Sequence, residues 1–473
     1  MPTLLSSASA DLDAVVEFDP VISGKMSQSG PRYTSYPTAD RFSADFGYGN
    51  FLEALAALRM RGGRRPLSLY VHVPFCDTLC YYCACNKIIT KDRSKAATYL
   101  SYLKQEIAMQ GKLFAGMNQI EQLHFGGGTP TYLSEKQMDE LMLHLRQHFE
   151  FASDEDGEYS IEIDPRTVSR DRVFSLRAQG FNRISLGVQD FDADVQKAVN
   201  RIQPEAETVA IMQAARDAGF RSISIDLIYG LPKQTPEAFA RTIDEVISLQ
   251  PDRLSVFNYA HLPERFMPQR RINTNELPSP AAKLQMLERT IEQLTGAGYR
   301  YIGMDHFALP DDELAIAQEE STLQRNFQGY TTHGHCDLIG LGVSAISQIG
   351  DLYCQNDSDL ASYQRTLASG QLATGRGLLC NQDDRIRREV IQQIICNLHV
   401  PFACIEQAFN IDFCGYFAPQ WPMLKTMAAD GLIALDDQQL TVLPAGRLLV
   451  RSVCMVFDAY LEQQTRQRYS RVI

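Results

Sequence analysis

Four cysteines, Cys76, Cys80, Cys83 and Cys85, lie within ten residues of a 473-residue chain that contains eleven cysteines. Thiolates are good ligands for soft metals, so this density predicts zinc or an iron–sulfur cluster. Structural zinc sites usually join two well-separated pairs of ligands, whereas the Cys-x3-Cys-x2-Cys spacing here has no second pair nearby. Three thiolates can instead ligate three irons of a [4Fe–4S] cluster and leave the fourth iron open, as in a catalytic metal site. Zinc remains the structural alternative.

The remaining cysteines are interpreted differently. Cys85 is separated from Cys83 by one residue, too close for both to reach different corners of a cluster comfortably, so we leave it outside the ligand set. A packing role and a functional role both stay open for it. The other seven are scattered, several of them in apolar runs, and are interpreted as small buried hydrophobic residues. They are Cys336, Cys354, Cys380, Cys396, Cys404, Cys414 and Cys454.

The elements that would position the cysteines follow a regular alternation of β-branched runs and helical patterns between residues 67 and 304. The predicted strands are Leu67–Val73, Gln122–Phe125, Tyr159–Ile163, Arg183–Gly187, Ser222–Ile228, Arg253–Phe257 and Tyr301–Met304. The predicted helices include Tyr99–Phe114, Glu135–Phe149, Ala206–Gly219, Pro236–Leu249 and Pro280–Gly298. This alternation indicates a parallel sheet with crossover helices, and the largely apolar strands predict that both faces of the sheet are covered.

Polar and glycine-rich segments follow the predicted strands one after another. The cysteines follow the first strand, and Gly126-Gly127-Gly128 follows the second. Glu162 lies in the third strand, Gln189 follows the fourth, and Asp226 lies in the fifth. Such segments at the carboxyl ends of parallel strands are typical of the active face of a β/α barrel. Six or seven units rather than eight favour an α/β fold with a partial, TIM-like (β/α)6 barrel that is open on one side.

Outside this region the sequence predicts two further parts. Residues 1–49 form an N-terminal extension with little periodicity, residues 50–356 hold the partial barrel, and residues 357–473 form a mostly helical C-terminal domain. Near the end, a helix, a hairpin and a second helix resemble a small winged-helix unit. Because this unit is not basic, we favour a packing module or a substrate lid over a nucleic-acid-binding role.

Bulk properties restrict the class of protein. The net charge of −12 argues against general affinity for nucleic acid or anionic membranes. Residues 1–18 lack the pattern of a signal peptide, and no apolar stretch approaches the roughly 20 residues that span a bilayer. We therefore expect a cytoplasmic protein in which thiols stay reduced, and a chain of this length is expected to act as a monomer.

At this point the residues resemble a known superfamily. A Cys-x3-Cys-x-aromatic-Cys motif after the first strand of a partial barrel resembles the radical S-adenosylmethionine (SAM) enzymes. The surrounding segments are similar to the family of oxygen-independent coproporphyrinogen III oxidases, and the similarity runs from about Pro31 to Ile473. They are Tyr70–Cys76, Cys83–Lys87, Phe125–Thr131, Gly187–Phe191, Asp226–Pro232 and Asn326–Thr331. One departure is Ala84 between the last two cysteines, where the family often has glycine.

The resemblance implies a ligand set and two groups of cofactor-binding residues. It implies that Cys76, Cys80 and Cys83 bind a [4Fe–4S] cluster whose open iron chelates SAM. Residues implied around that first SAM are Tyr70, Tyr82, Gly127, Gly128, Thr129, Glu162, Gln189 and Arg201. Residues implied to line the remaining cofactor space, where the family can hold a second SAM, are Asp226, Ala260, Phe327, Gln328 and Ile346.

The implied reaction is oxidative decarboxylation of two propionates of coproporphyrinogen III to vinyl groups, giving protoporphyrinogen IX, without oxygen. An electron donor and an electron acceptor are implied as partners. Arginines suit the substrate's carboxylates, and the candidates are Arg32, Arg41, Arg166, Arg270 and Arg271. Two rival functions are a haem-binding or haem-trafficking relative without decarboxylase activity and a non-catalytic, zinc-stabilised interaction protein.

Overall fold

A computed structural model describes residues 16–17, 29–60, 65–116 and 119–461. Their contacts group the chain into two compact units. The sheet unit comprises Asp40–Pro278 and His335–Cys380; the helical unit comprises the described parts of Met1–Ala39, Ser279–Gly334 and Asn381–Ile473. The three-part division predicted at residues 49 and 356 stays a prediction, and most of its N-terminal extension lies outside the described residues.

The strands have the following bounds, in chain order. They are β1 (Leu67–Val73), β2 (Phe75–Cys76), β3 (Ile88–Ile89), β4 (Ile120–Gly127), β5 (Glu158–Ile163), β6 (Arg183–Gln189), β7 (Ser222–Tyr229), β8 (Arg253–Asn258), β9 (Arg300–Gly303), β10 (His306–Ala308), β11 (Gln324–Asn326), β12 (Gly329–Thr331), β13 (Asp337–Leu341), β14 (Ile346–Ile349), β15 (Leu352–Asn356), β16 (Thr374–Leu379), β17 (His399–Pro401), β18 (Ile433–Leu435) and β19 (Gln439–Val442).

The α-helices are α1 (Tyr48–Met60), α2 (Ser94–Leu113), α3 (Glu135–His148), α4 (Arg170–Ala178), α5 (Ala193–Ala198), α6 (Glu205–Ala218), α7 (Pro236–Leu249), α8 (Pro280–Gly296), α9 (Glu313–Glu319), α10 (Leu360–Ala368), α11 (Gln382–Asn397), α12 (Phe402–Phe409), α13 (Phe413–Tyr416), α14 (Trp421–Ala429), α15 (Pro444–Arg447) and α16 (Val450–Val456). Short 3-10 helices cover Ala39–Arg41, Pro130–Tyr132, Pro165–Thr167, Met267–Arg271, Thr274–Glu276 and Ala418–Gln420. None of the described helices is both long enough and apolar enough to cross a membrane.

Six strands of the sheet unit, β1, β4, β5, β6, β7 and β8, are neighbours in chain order, and all of them are parallel. The other neighbour of β1 is β13, also parallel, and β14, β15 and β16 continue the sheet in antiparallel fashion. The sheet therefore does not close on itself at β1. The predicted six-unit parallel β/α architecture is confirmed, as an open sheet.

The seventh predicted strand is present near Tyr301 as β9, but it belongs to the helical unit and pairs antiparallel with β10. One expectation about an individual element is wrong. After residue 357 the sequence predicts helices, but β16 forms and pairs with β15 at the end of the sheet. Its sequence, Thr374-Gly-Arg-Gly-Leu-Leu379, carries two glycines and no β-branched run, so local propensity does not reveal it.

Helix boundaries follow from capping residues that can be recognised in the sequence. Ser134 accepts a hydrogen bond from the backbone of Gln137, whose side chain bonds back to Ser134, and together they form a capping box before α3. Thr235 caps α7. Gly219, at a φ of 80°, ends α6 in the left-handed region that glycine tolerates best. These signals explain why the predicted helix positions agree with the structure to within a few residues.

Several strands alternate buried and half-buried residues, contrary to the expectation that they are apolar throughout. The reason is that one face of the sheet carries polar side chains that bond from strand to strand. Ser68 donates to Gln122 (2.8 Å), and Gln122 donates to Glu158 (2.8 Å). Glu158 then lies 3.2 Å from the Arg183 guanidinium. Because buried polar groups need partners, this face is built as a connected network across β1, β4, β5 and β6.

The helical unit has its own apolar core, which includes Ile391, Ile394, Phe402 and Phe413. The rings of Phe402 and Phe413 stack at 4.0 Å between centroids. The predicted helix, hairpin and helix near the end are present as α14, β18–β19 and α15–α16, and β17 adds a third strand beside β19.

A buried carboxyl group, Glu106 of α2, connects three elements of the sheet unit. It accepts hydrogen bonds from the Tyr363 hydroxyl (2.6 Å), the Asn356 amide (2.6 Å) and the Gly342 backbone N–H (2.7 Å). Burial raises the pKa of Glu106 to about 7, even though these donors lower it. The group therefore links the stability of the sheet unit to pH.

We predict that wild-type stability falls as pH rises from about 4.5 to about 7, because the unfolded chain loses the Glu106 proton before the folded chain does. The full difference is on the order of 3 kcal/mol. In Glu106→Gln the dependence should become markedly shallower, whereas Glu53→Gln, at an exposed position of α1, should keep it. Urea unfolding midpoints of the cluster-free protein across this range measure the effect, and equal pH profiles for the wild type and Glu106→Gln would contradict it.

Candidate cluster and cofactor site

The cysteine loop, residues 74–87, begins directly after β1 at the carboxyl end of the parallel sheet. Short parallel strands β2 and β3 close its base, with Ile88 donating to the Pro74 carbonyl (2.6 Å) and Thr90 donating to the Cys76 carbonyl (3.0 Å). Cys80 is buried, Cys76 and Cys83 are half-buried, and Cys85 is exposed. The three predicted ligands thus lie on one loop at the predicted edge of the sheet. Backbone hydrogen bonds join the two ends of this loop.

The glycine run Gly126–Gly128, at the end of β4, lies directly against this loop. The backbone N–H of Gly128 donates to the Val73 carbonyl (2.8 Å), and that of Thr129 donates to the Phe75 carbonyl (2.8 Å). The Thr129 hydroxyl lies 3.4 Å from the Cys76 Sγ and donates to it. A Cβ on Gly128 would lie 2.7 Å from the Phe75 carbonyl oxygen, a distance that real Cβ atoms do not adopt. Glycine is therefore required at Gly128 for the backbone to approach this closely.

Two arginines surround Cys80. Arg201 Nη1 lies 3.7 Å and Arg166 Nη2 lies 3.8 Å from the Cys80 Sγ. Both guanidinium groups bind the Asp164 carboxylate, at 3.1 Å and 2.6 Å. Burial raises the pKa of Asp164, but the hydrogen bond from Arg166 and the charge of Arg201 hold it below its usual value, so the carboxylate stays ionised. Two positive charges therefore lie beside the Cys80 sulfur.

The aromatic and histidine side chains inside the sheet form a second network. The Tyr70 hydroxyl lies 3.0 Å from His72 Nδ1, and His72 Nε2 lies 2.9 Å from the Asn86 carbonyl. Because a carbonyl only accepts, His72 Nε2 carries the proton and Nδ1 accepts from Tyr70. Burial lowers the pKa of His72, which keeps the ring neutral. His72 therefore holds Tyr70 in place and fixes residue 86 of the cysteine loop.

His124 connects the Tyr70 network to Glu162. Its Nδ1 lies 2.6 Å from the Ser160 hydroxyl, and its Nε2 lies 3.1 Å from Glu162 Oε1. The His124 ring also stacks on Tyr70 at 5.8 Å between centroids. Neither His72 nor His124 is among the site residues predicted from the sequence. The sequence did contain a signal for both histidines. His72 lies two residues after Tyr70 and His124 lies opposite Tyr70, so both side chains point to the same face of the sheet as Tyr70 and Glu162.

Asp226 of β7 continues this polar face. It accepts a hydrogen bond from the Ser185 hydroxyl at 3.1 Å and is also bonded to Ser255. Burial, with a contribution from the negative charge of Glu162, raises the pKa of Asp226 to about 6. Gln189 adopts a φ of 72°, at a register shift where β6 pairs with β7. Positive φ at a residue other than glycine marks a locally constrained backbone at this end of the sheet.

Gln269, which the sequence analysis also missed, joins the cysteine loop to the segment after β8. Its side-chain amide lies 3.1 Å from the Tyr82 carbonyl and 3.2 Å from the Ala260 carbonyl, and donates to both. Its oxygen accepts from the Leu262 backbone at 2.6 Å. Glutamine in an irregular segment carries no motif, so only the tertiary structure reveals this contact.

The structure brings most of the predicted residues into the sheet unit, but not all of them. Ile346 begins β14, next to β13, and is half-buried. Phe327 and Gln328 belong to the helical unit, at the turn between β11 and β12, where Asn326 Oδ1 accepts from the Gln328 backbone (2.8 Å). The cofactor contacts assigned to all thirteen residues stay predictions.

The candidate arginines for substrate carboxylates have different surroundings. Arg166 is engaged by Asp164, Arg32 pairs with Asp305, and Arg41 lies 3.7 Å from Asp40. The exposed Arg270 donates to the Pro263 carbonyl and lies 3.9 Å from Glu264. Arg271 is exposed and lies over the ring of Tyr81 in the cysteine loop, 5.5 Å from its centroid.

The arrangement of the thiols fits an iron–sulfur cluster better than a single zinc ion. Thiolates on one zinc ion, with bonds of about 2.3 Å, lie about 3.8 Å apart. Among the described residues, the Sγ atoms of Cys76, Cys80 and Cys83 do not form a group within 4.8 Å of one another. A cubane, whose irons occupy separate corners, spreads its ligands farther apart. Donors to Cys76 and Cys80 from Thr129, Arg166 and Arg201 would stabilise the thiolates.

Comparisons with known proteins agree with this geometry. The family model described as Radical SAM superfamily matches residues 70–246, and the HemN C-terminal domain model matches residues 380–449. Two similar curated proteins are both named oxygen-independent coproporphyrinogen III oxidase. That of Pseudomonas aeruginosa is 64% identical over 445 residues, covering 94% of this chain and 96% of that protein. That of Escherichia coli is 53% identical over 459 residues, covering 97% and 99%.

Among solved structures, coproporphyrinogen III oxidase from Escherichia coli, described as a radical SAM enzyme, superimposes with a TM-score of 0.90 at 52% identity. The match covers 94% of this chain and 100% of that chain. The similarity therefore extends through both compact units and is not confined to the cysteine motif.

We predict that Gly128→Ala impairs cluster assembly, because its Cβ would displace the cysteine loop at a cost of about 1–3 kcal/mol. Iron per chain and the visible absorbance of the cluster after anaerobic reconstitution should both fall severalfold. Gly296→Ala is the matched control, since a Cβ there has no atom within 4 Å and should leave iron content unchanged. Normal iron content in Gly128→Ala would show that the close approach is not required.

Proposed function

The chain belongs to the family of oxygen-independent coproporphyrinogen III oxidases, and we infer from this that it converts coproporphyrinogen III to protoporphyrinogen IX in haem biosynthesis. The reaction removes two propionate carboxyl groups oxidatively and leaves two vinyl groups. The observation that carries this inference is the loop of Cys76, Cys80 and Cys83 at the carboxyl end of six parallel strands, within a chain matched along nearly its whole length.

The cofactors follow from the family and fit the site. When bound, a [4Fe–4S] cluster and SAM would supply the radical chemistry that oxidative decarboxylation of a propionate requires. The chain's own part is to hold the ligands and to exclude water. Cys76, Cys80 and Cys83 would bind three irons and leave one iron open to SAM.

Several side chains support a SAM molecule beside the cysteine loop. Gly127 and Gly128 present only backbone at this position, and the Thr129 hydroxyl donates to the Cys76 sulfur, so we place the methionine part of SAM beside this segment. Glu162 is held by His124 and carries a half-buried carboxylate that suits the amino group of methionine. Tyr70, Tyr82, Gln189 and Arg201 complete the proposed first SAM site, and Asp226, Ala260, Phe327, Gln328 and Ile346 the proposed second one.

Further parts of the proposal concern partners and location. The net reaction releases electrons as well as carbon dioxide, so an electron acceptor is required, and a separate donor must reduce the cluster. We propose that the chain acts as a monomer in the cytoplasm, where a reducing environment keeps the cluster thiols available.

Anaerobic turnover of coproporphyrinogen III by the reconstituted protein, with SAM, a reductant and an electron acceptor, tests the function. Mass spectrometry should show loss of two carboxyl groups, and Cys80→Ser should abolish both this loss and SAM cleavage. Cleavage of SAM without decarboxylation would favour a haem-trafficking relative. A colourless protein without SAM cleavage would favour the zinc-stabilised interaction protein, and either result would overturn the proposal.

For the substrate carboxylates we favour Arg271 over its neighbour Arg270. In the part of the chain that the structure describes, Arg271 contacts Tyr81 of the cysteine loop and makes no ion pair, whereas Arg270 lies near Glu264. A guanidinium that is free of carboxylates and lies beside the cluster loop can bind a propionate with paired donors.

Arg271→Ala should therefore lower kcat/KM for coproporphyrinogen III about tenfold or more, because a charge-assisted hydrogen bond is lost. The effect should appear mainly in KM, while cluster content and abortive SAM cleavage stay normal. Arg270→Ala, in the same 3-10 helix, is the control and should change kcat/KM little. Equal losses in both variants would point to a general effect of charge rather than to a carboxylate site.

A further inference from the structure

A second group of metal-ligating side chains lies at the opposite end of the strands from the cysteine loop. Glu121 is near the start of β4, and His335 and Cys336 immediately precede β13. One donor atom from each residue lies within 4.8 Å of the others: a carboxylate oxygen, an imidazole nitrogen and a thiol sulfur. All three residues belong to the sheet unit, and the reaction described above uses none of them.

The backbone of β4 is irregular at this position. Leu67 of β1 pairs with Ile120, but the next residue, Ser68, pairs with Gln122, so Glu121 is an extra residue in β4. Bulges of this kind redirect a side chain. The Glu121 carboxylate reaches His335 Nε2 at 2.7 Å, and the Cys336 thiol lies 3.8 Å from the same carboxylate oxygen. The bulge is a second observation, independent of the ligand types, that points to this cluster.

The turn that carries the other two donors is also fixed. Arg65 Nε donates to the His335 carbonyl at 2.9 Å, and the Asp337 backbone N–H donates to the Pro66 carbonyl at 2.8 Å. The Asp337 carboxylate accepts from the Gly350 backbone at 2.9 Å and lies 3.4 Å from the Arg65 guanidinium. The His335–Cys336 pair is therefore held against β1 without help from its own side chains.

We propose that Glu121, His335 and Cys336 form a zinc site, with water as the fourth ligand. Zinc combines nitrogen, oxygen and sulfur donors in tetrahedral sites, with bonds of about 2.0 to 2.3 Å. The distance of 3.8 Å between the Glu121 carboxylate oxygen and the Cys336 sulfur is close to the spacing of two ligands on one zinc ion. The distance of 2.7 Å between the same oxygen and His335 Nε2 is too short and must increase by about half an ångström. The exposed ring of His335 can move by this amount.

Zinc binding would leave the site electrically neutral and would release one proton. One carboxylate and one thiolate neutralise Zn²⁺, while the imidazole binds in its neutral form. The Cys336 thiol proton is released to solvent as the sulfur–zinc bond forms.

A bound zinc ion would tie β4 to the segment before β13 across the intervening strand β1. Its effect would be to stabilise the amino-terminal edge of the sheet, far along the strands from the cluster. Loss of this zinc should therefore affect stability without changing the iron of the cysteine loop.

The test uses the reconstituted, cluster-containing protein under anaerobic conditions. Zn²⁺ alone is added, weakly bound metal is removed with a mild chelator, and zinc and iron per chain are measured together. The wild type should retain about one additional zinc with unchanged iron, and its melting temperature should rise with zinc. His335→Gln, Glu121→Gln and Cys336→Ser should each lose both effects. His335→Gln is decisive because its exposed side chain is not needed for folding.

Cys404→Ser is the matched control, since Cys404 is an exposed thiol of the helical unit and should leave zinc retention intact. Retention of zinc by all three site variants would overturn the proposal. So would a wild type that retains none, or zinc gained only in proportion to iron lost, which would place the metal at the cysteine loop. Because iron is measured in the same samples, failure of this proposal is distinguishable from failure of the cluster assignment.

Discussion

The functional site depends on one backbone contact, the approach of the glycine run at the end of β4 to the loop that begins after β1. The N–H groups of Gly128 and Thr129 donate to carbonyls of Val73 and Phe75, on either side of the point where strand becomes cysteine loop. A Cβ on Gly128 does not fit between these segments. This contact fixes the backbone position just before Cys76. The parallel pairing of β2 with β3 then fixes the other end of the cysteine loop. The ligands are placed by backbone geometry, which limits the motion of the thiols.

A second constraint comes from the polar interior of the sheet. In a protein core, polar groups are costly unless each finds a partner, and here they do so in rows that run across neighbouring strands. Tyr70, His72 and His124 belong to such a row, which ends at Glu162. This organisation leaves a half-buried, polar surface next to the cysteine loop. It suits a charged ligand such as SAM, whose amino, carboxylate and sulfonium groups all need defined partners.

Charge near the cluster is opposite in sign to that of the whole chain. The net charge is −12, yet Arg166 and Arg201 lie within 4 Å of the Cys80 sulfur, and the Lys87 ammonium donates to the Cys83 carbonyl at 3.0 Å. A cluster with three thiolates is anionic, so local cations offset the cost of placing it in a partly buried site. Asp164 pairs with both arginines and holds them in position. Its negative charge offsets the repulsion between the two guanidinium groups.

Much of this could be predicted from the sequence. The strands β1 and β4 to β8 had clear apolar or β-branched runs, and the cysteine spacing and the glycine run identified the cluster edge, because local residue types determine these features. Gln269, His124 and strand β16 were missed for a different reason. Their roles arise from tertiary contacts: Gln269 bonds to carbonyls distant in sequence, and β16 is held by pairing with β15 rather than by propensity. The polar alternation was misjudged because one face of the sheet is filled by polar side chains that bond from strand to strand, and such partners are distant in sequence.

The central claim is that three cysteines of one loop hold a [4Fe–4S] cluster with one iron free to bind SAM. Mössbauer spectroscopy of protein reconstituted with ⁵⁷Fe, before and after addition of SAM, tests it most directly. The account predicts that about a quarter of the iron changes its spectrum when SAM binds, because one iron lacks a protein thiolate. Four irons that do not respond to SAM would contradict it, since that result would mean that the cluster has no open position.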